Sequence, residues 1–214
     1  MADQLTEDTT TAPATAQRAA KAVGARILDW LRLAPQPVDP VTIVPHRSSW
    51  QARYSVEADL LQVALTDLQP RLEHIGSTAV PGLAARPIVD IVVGVAQMSD
   101  RPAMINRLRN YGYLADPNQV GAPPALRCLT RQVRDMPTHQ VHVVEAYGDL
   151  WHRLLLFRDL LRSDALLAAE YEGLKRRLAR ANAKSPFAYM AAKTEFIERI
   201  LGETRDLRRD APAA

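Results

Sequence analysis

The sequence predicts an α+β protein: a mixed β-sheet with packed helices and a helical C-terminal portion. Three observations carry this. Pro87–Val95 (PIVDIVVGV) is apolar except for one carboxylate, the composition of a central strand buried on both faces. Leu126–Val133 and Gln140–Ala146 alternate at period two on either side of Arg134-Asp-Met-Pro-Thr, the pattern of a hairpin. From Leu150 onward the apolar spacing becomes helical, in three successive stretches.

Taken in order, residues 1–16 hold five threonines and three acids and little to bury, so a disordered tail is expected. In residues 17–33, Val23, Ile27, Trp30 and Leu31 recur at helical spacing among Arg18, Lys21, Arg26 and Arg32. This amphipathic helix offers a face for packing on the domain or for self-association, and a Pro-rich linker follows it to residue 37. The compact domain is expected over 38–201. It opens with a short strand, Val41–Val44, and a helix from Ser48 or Ser49 to about Leu68 with Trp50, Tyr54, Ala58, Leu61 and Leu65 on its apolar face. Arg71–Ile75 reads as a strand, Pro87–Val95 as the central one, and Asp100–Tyr111 as a helix closed by Gly112. After the hairpin come helices Leu150–Leu161, Ala165–Ala181 (capped by Ser163-Asp164) and Ser185 to about Leu201. Residues 202–214 are expected to be a flexible tail.

Composition narrows the function classes. Hydrophobic residues at 47% suffice for an ordinary core, and no apolar run reaches the ~18 residues of a membrane span. The N-terminus lacks the basic and apolar regions of a leader, so a cytoplasmic protein is expected. Twenty-seven basic residues nearly balance 24 acidic ones, and no basic block is long enough to track a nucleic-acid backbone. Small anionic ligands suit the scattered arginines better. The single cysteine, Cys128, rules out an internal disulfide and reads as a small core residue with no histidine placed beside it.

The chemistry concentrates in His74-Ile-Gly-Ser-Thr-Ala-Val-Pro-Gly-Leu-Ala-Ala-Arg-Pro-Ile-Val-Asp90. Gly76-Ser77 follows a strand, where glycine lets backbone amides approach an anion. Asp90 stands thirteen residues after Ser77 in an apolar strand, and a buried carboxylate needs a partner or a cation. Thr78 belongs to the same turn, and Arg86 stands at the mouth of the strand, placed to neutralise phosphate or to pair with Asp90. His142 lies in the later strand, with Glu145 on its opposite face. If His142 shares a cleft with Asp90, the two offer a divalent-cation site, or a base beside an acid. His74 enters the Gly-Ser turn. His139 is expected at the hairpin turn, facing water, and His139 and His142 fall on opposite faces, which argues against a zinc site. Arg158 and Lys193 complete the candidate anion contacts, whereas Lys175-Arg-Arg177 reads as a solvated helix face.

A Gly-Ser turn followed by an acid-bearing strand resembles the outline of the nucleotidyltransferase superfamily. The fuller string IGSTAVPGLAARPIVDI resembles the signature of the GrpB family. Ile43-Val-Pro45 with Trp50 and Glu57, Thr138–Val144, Trp151–Arg162, Tyr171 with Leu174-Lys175, and Tyr189 with Lys193, Phe196 and Ile197 are similar to further family blocks, in the right order. The resemblance implies a nucleotidyltransferase-like fold, related to a domain fused to some bacterial dephospho-coenzyme A kinases. It also implies a nucleoside triphosphate held at Gly76-Ser77, Mg²⁺ or Mn²⁺ on Asp90, and transfer to an unknown small acceptor. The sequence departs from a two-metal mechanism at Val92, where the second carboxylate of an Asp-x-Asp/Glu pair belongs. That departure leaves open a non-catalytic binding or folding-assistance module that kept the fold.

Overall fold

The structure, a computed structural model, describes residues 41–115, 128–182 and 186–210. The expected tail at 1–16 and the helix and linker at 17–37 lie outside the described residues.

Helix α1 (Ser49–Ala64) is followed by strand β1 (Arg71–Ile75), a single 3-10 turn (Ser77–Ala79) and strand β2 (Val89–Val95). Helix α2 (Arg101–Asn110) and strands β3 (Tyr113–Ala115), β4 (Cys128–Val133) and β5 (Met136–Glu145) come next, then helices α3 (Asp149–Ser163), α4 (Ala165–Ala181) and α5 (Pro186–Asp210). The strands form one sheet in the order β1-β2-β5-β4-β3. β2 and β5 are parallel and the other pairs antiparallel, so the α+β class and the mixed sheet are as expected.

Period-two alternation sends β2 to two different layers. Val89, Ile91, Val93 and Val95 pack with Trp50 and Leu61 of α1, Leu65 just after it, and Met104 and Leu108 of α2. On the other face Val92 packs with Ile75, Val144 and Trp151, under α3. A third cluster, with Phe157, Leu161, Tyr171, Phe196 and Ile200, joins α3, α4 and α5. Gly94 is required where the sheet meets α3, because a Cβ there would lie 2.8 Å from Trp151 Cζ3.

Several expectations are corrected. The strand at Val41–Val44 is reduced to one antiparallel bridge, Val44 to Ala85, since a four-residue lead-in finds no longer partner. α1 stops at Ala64 rather than Leu68; Leu65 leaves helical geometry, a 3-10 turn (Thr66–Leu68) follows, and Gln69 turns left-handed before Pro70. The short edge strand β3 was not expected. The hairpin connection is two residues, not five: Arg134 and Asp135 have φ of 50° and 62°, the left-handed pair of a type I′ turn, so β5 starts at Met136. His139 therefore lies inside β5, fully buried, not at a turn facing water. Lys175 is likewise buried rather than solvated. Helix α5 continues to Asp210, so the tail expected from 202 is helical to that point; Arg199 and Glu203 pair across one of its turns at 3.0 Å, and the next proline is Pro212.

Candidate functional site

Asp90 and His142 come together because β2 and β5 are adjacent and parallel. The register sets Asp90 beside Gln140 and Val92 beside His142, all on the face that looks toward α3–α5. His142 Nε2 lies 3.7 Å from Asp90 Oδ1, and both side chains are half-buried. The antiparallel register of β4 puts Cys128 directly across from His142, against the expectation that no histidine adjoins it. The register of the two-residue hairpin supplies that neighbour.

Gly76 closes the other side of Asp90. Its φ is 69°, a left-handed conformation that disfavours side chains, and a Cβ there would strike Asp90 Oδ2. The carboxylate is thus pressed against the backbone of the Gly-Ser turn. Ser77 starts the 3-10 turn, in which Ala79 N–H donates to Gly76 O at 3.2 Å, and its side chain is hydrogen-bonded with that of Tyr171.

The turn is held from behind. His74 is buried and stacked on Tyr54, with ring centroids 4.8 Å apart. Desolvation pushes its pKa down to about 4, so the ring is neutral near pH 7. Nδ1 donates to Gln51 Oε1 at 3.3 Å, which leaves Nε2 to accept from the Thr78 hydroxyl at 3.0 Å. Arg162 donates twice to Ala79 O, at 2.8 and 3.0 Å. Helix α4 clasps Ala84 at both ends of its peptide unit: Ala84 N–H donates to Glu172 Oε2 at 2.9 Å, and Lys175 Nζ donates to Ala84 O.

These elements enclose a cavity of about 310 Å³ lined by Gly76, Ser77, Thr78, Arg86, Asp90, Gln140, His142, Lys175, Tyr189 and Lys193, with apolar walls from Ile75, Leu154 and Phe157. Arg153 also reaches it but is paired with Glu198 at 2.6 Å. Three cationic side chains, Arg86, Lys175 and Lys193, share the space with Asp90. Lys175 Nζ sits 4.9 Å from the Tyr171 ring centroid, and Lys193 Nζ 4.8 Å from that of Tyr189, which Arg86 approaches at 5.9 Å. Burial lowers the pKa of Lys175 to about 7, aided by the positive charge of Lys193. Lys193 is lowered to about 8, chiefly by desolvation, with Asp90 opposing the shift and Arg86 adding to it. Crowded, desolvated cations favour an anion.

Of the residues singled out from sequence, Gly76, Ser77, Thr78, Arg86, Asp90, His142 and Lys193 meet at this cavity. Arg158 does not line it: its guanidinium is buried against Glu73 at 2.8 Å, Asp159 at 2.7 Å and the His74 carbonyl at 3.1 Å, a structural clamp on β1. Lys175, Tyr171, Tyr189 and Gln140 were missed. For three of them a signal existed: Tyr171–Lys175 and Tyr189–Lys193 are both Tyr-x-x-x-Lys, which stacks the ammonium over the ring on one helix face.

On the opposite face a second charged cluster is wholly structural. Glu57 accepts from Tyr113 Oη at 2.7 Å and from Arg131 Nη1 at 2.7 Å, while Arg53 ties the Pro87 and Thr138 carbonyls, at 3.3 and 2.9 Å. His139 joins this cluster, 3.9 Å from Glu57, and burial keeps it neutral.

The family model described as GrpB protein matches residues 40–203. The Glutamate-rich protein GrpB of Alkalihalophilus pseudofirmus is 33% identical over 165 residues, covering 76% of this chain and 95% of that protein. The crystal structure of the conserved protein GrpB from Enterococcus faecalis superposes with a TM-score of 0.67 at 30% identity, over 79% of this chain and all of that one. The structure of Cid1 in complex with the UTP analogue UMPNPP gives a TM-score of 0.44 at 14% identity, over 78% of this chain and 46% of that one, a distance at which likeness says nothing of function. Among the described residues no helix is long and apolar enough to cross a membrane.

Proposed function

The chain belongs to the GrpB family, and from that membership and the site's geometry we propose that the Asp90 cavity binds a nucleoside triphosphate together with one divalent cation. The observation that carries this is the convergence of Arg86, Lys175 and Lys193 on the Gly76-Ser77 turn around a single half-buried carboxylate. Cations clustered against a glycine turn suit phosphate oxygens, and the apolar walls suit a ring.

The donor set fits one ion. Asp90 and His142 supply two ligands on one face, and among the described residues no three such side chains converge. Phosphate oxygens and water complete the shell in this reading, and a carboxylate with an imidazole suits Mn²⁺ better than Mg²⁺. When bound, the ion neutralises phosphate charge. The chain's own residues orient the ligand: Gly76 admits it close to the backbone, Ser77 and Thr78 offer hydroxyls, and the lysines take phosphate charge. In the catalytic form of this proposal His142 serves as the base instead of as an ion ligand: it takes the proton of a small acceptor, whose nucleophilic atom bonds to the α-phosphorus as the bond to the departing pyrophosphate breaks.

A second reading, a non-catalytic binding or folding-assistance module, is favoured by Val92. It sits where a second carboxylate belongs, fully buried against Trp151 and Val144, a place that accepts no charge.

The test is thermal melting with each of the four ribonucleoside triphosphates, with and without Mn²⁺ or Mg²⁺. A ligand at ~100 times its Kd adds about 2.7 kcal/mol, which raises the midpoint by roughly 5–10 °C for a chain of this size. We expect a cation-dependent rise for at least one nucleotide, lost in Asp90→Asn. No rise with any of the four overturns the nucleotide proposal. A rise without turnover against added acceptors selects the binding module.

A further inference from the structure

Of the chain's 27 basic residues only four are lysines, Lys21, Lys175, Lys184 and Lys193. Two of those four line the Asp90 cavity. Elsewhere the chain draws its positive charge almost wholly from arginine. A guanidinium keeps its proton throughout the physiological range, whereas a buried ammonium can release one and become a nucleophile. Lysine at these two positions therefore brings a chemistry that charge alone does not require.

Lys175 is set apart by what surrounds it. The side chain is buried, its Nζ donates to Ala84 O, and it lies 4.9 Å from the centroid of the Tyr171 ring. Glu172, the acid whose charge reaches it, is held by Arg176 at 2.8 Å and by Ala84 N–H at 2.9 Å. Lys193 faces it from α5, and Arg176 adds a second like charge from its own helix. Desolvation, reinforced by those charges, brings the amine to a pKa of about 7, so about half of it carries a free electron pair at neutral pH.

We propose that Lys175 is a nucleophile that forms an imine with an aldehyde carrying a phosphate group, the phosphate resting against Lys193 and Arg86. A desolvated amine beside a second cation is the setting in which lysines attack carbonyl carbon. The cavity of about 310 Å³ has room for a small molecule, and Ile75, Leu154 and Phe157 give it apolar walls. Lys193 and Arg86 approach the same ring, Tyr189, and the charge of Arg86 acts on Lys193, so the two cations share one region of the cavity. In the reaction the Nζ lone pair bonds to the aldehyde carbon as the C=O π pair moves to oxygen. Both Nζ hydrogens then leave with that oxygen as one water, and the C=N bond closes. The first step lets the amine keep an N–H on Ala84 O while its lone pair attacks. Imine formation does not require a nucleotide as the natural ligand, so failure of either reading leaves the other standing.

The test uses the full chain with pyridoxal 5′-phosphate as probe at pH 7. Borohydride reduces the imine to a stable secondary amine, and peptide mass spectrometry locates the label among the four lysines. Lys175 should carry ~10 times or more the label of any other lysine, well within the ~1,000-fold excess of neutral amine that a pKa of about 7 gives over 10.5. Pyridoxal, which has the aldehyde without the phosphate, should label Lys175 ~10-fold less, the loss of one charge-assisted contact. Inorganic phosphate should slow labelling by the phosphorylated probe. Label shared equally among the lysines, or concentrated on Lys193, overturns the assignment to Lys175. Equal labelling by the two aldehydes, or labelling that phosphate does not slow, overturns the phosphate contact. The readout is made on the unsubstituted chain, so a variant that fails to fold cannot obscure it.

Discussion

Gly76→Ala perturbs the junction between the turn and Asp90, and its cost divides into two parts. A non-glycine residue at φ 69° and ψ −172°, a region open essentially to glycine alone, costs about 1–3 kcal/mol. The added methyl also meets Asp90 Oδ2 and must displace the carboxylate or the turn, an overpacking cost of about 1–3 kcal/mol. The sum is about 2–6 kcal/mol. For a chain of this length each kcal/mol shifts the midpoint by roughly 2–4 °C, so a fall near 10 °C is expected. Calorimetry on Gly76→Ala, Asp90→Ala and the double variant separates the parts. Removing the carboxylate removes the collision but not the backbone strain, so the double variant should be more stable than the sum of the singles predicts, with a coupling of about 1–3 kcal/mol. Additive single costs would mean that Asp90 does not lie against Gly76, and the site's geometry would be refuted. A Gly76→Ala variant that melts with the parent would refute the left-handed turn as well.

Three further outcomes follow from named contacts. Lys175 has a folded pKa of about 7 against 10.5 unfolded, so between those values the unfolded chain binds more protons and stability rises with pH; melting temperatures of the parent should therefore gain on those of Lys175→Met as pH climbs from 7 to 10, and parallel profiles would contradict the desolvated amine. Glu57→Ala leaves Arg131 and Tyr113 without their carboxylate and should cost about 3–5 kcal/mol by urea denaturation, whereas a cost below about 1 kcal/mol would show that the cluster is solvated. Asp164→Ala removes the acceptor of the Leu166 and Leu167 amides, both at 2.9 Å, and should cost about 1 kcal/mol in the same assay; no loss would mean that the cap is not formed.

The sequence by itself determined what depends on neighbours along the chain. The apolar run Pro87–Val95, alternation in the hairpin strands, helical spacing after Leu150, and the cap at Asp164 are local signals, and each element they mark is present. The GrpB resemblance was legible in the same way, as a string of residues from Ile75 to Ile91. Turn chemistry was read less well: Arg134 and Asp135 are not the glycine or asparagine usual in a type I′ turn, so the hairpin looked longer than it is. The tertiary structure decided everything that depends on adjacency across space. No local pattern says that β5 lies parallel beside β2, yet that pairing alone brings His142 to Asp90; the register of the β4–β5 hairpin sets Cys128 opposite His142. Nor does helical spacing fix how a helix is rotated. Packing of α4 and α5 against α3 and the Val80–Leu83 loop turned Lys175 and Lys193 inward beside Asp90, while the contacts of α3 turned Arg158 onto Glu73. The lowered lysine pKa values have the same origin, because desolvation is a property of what surrounds a group and not of the residues next to it in sequence.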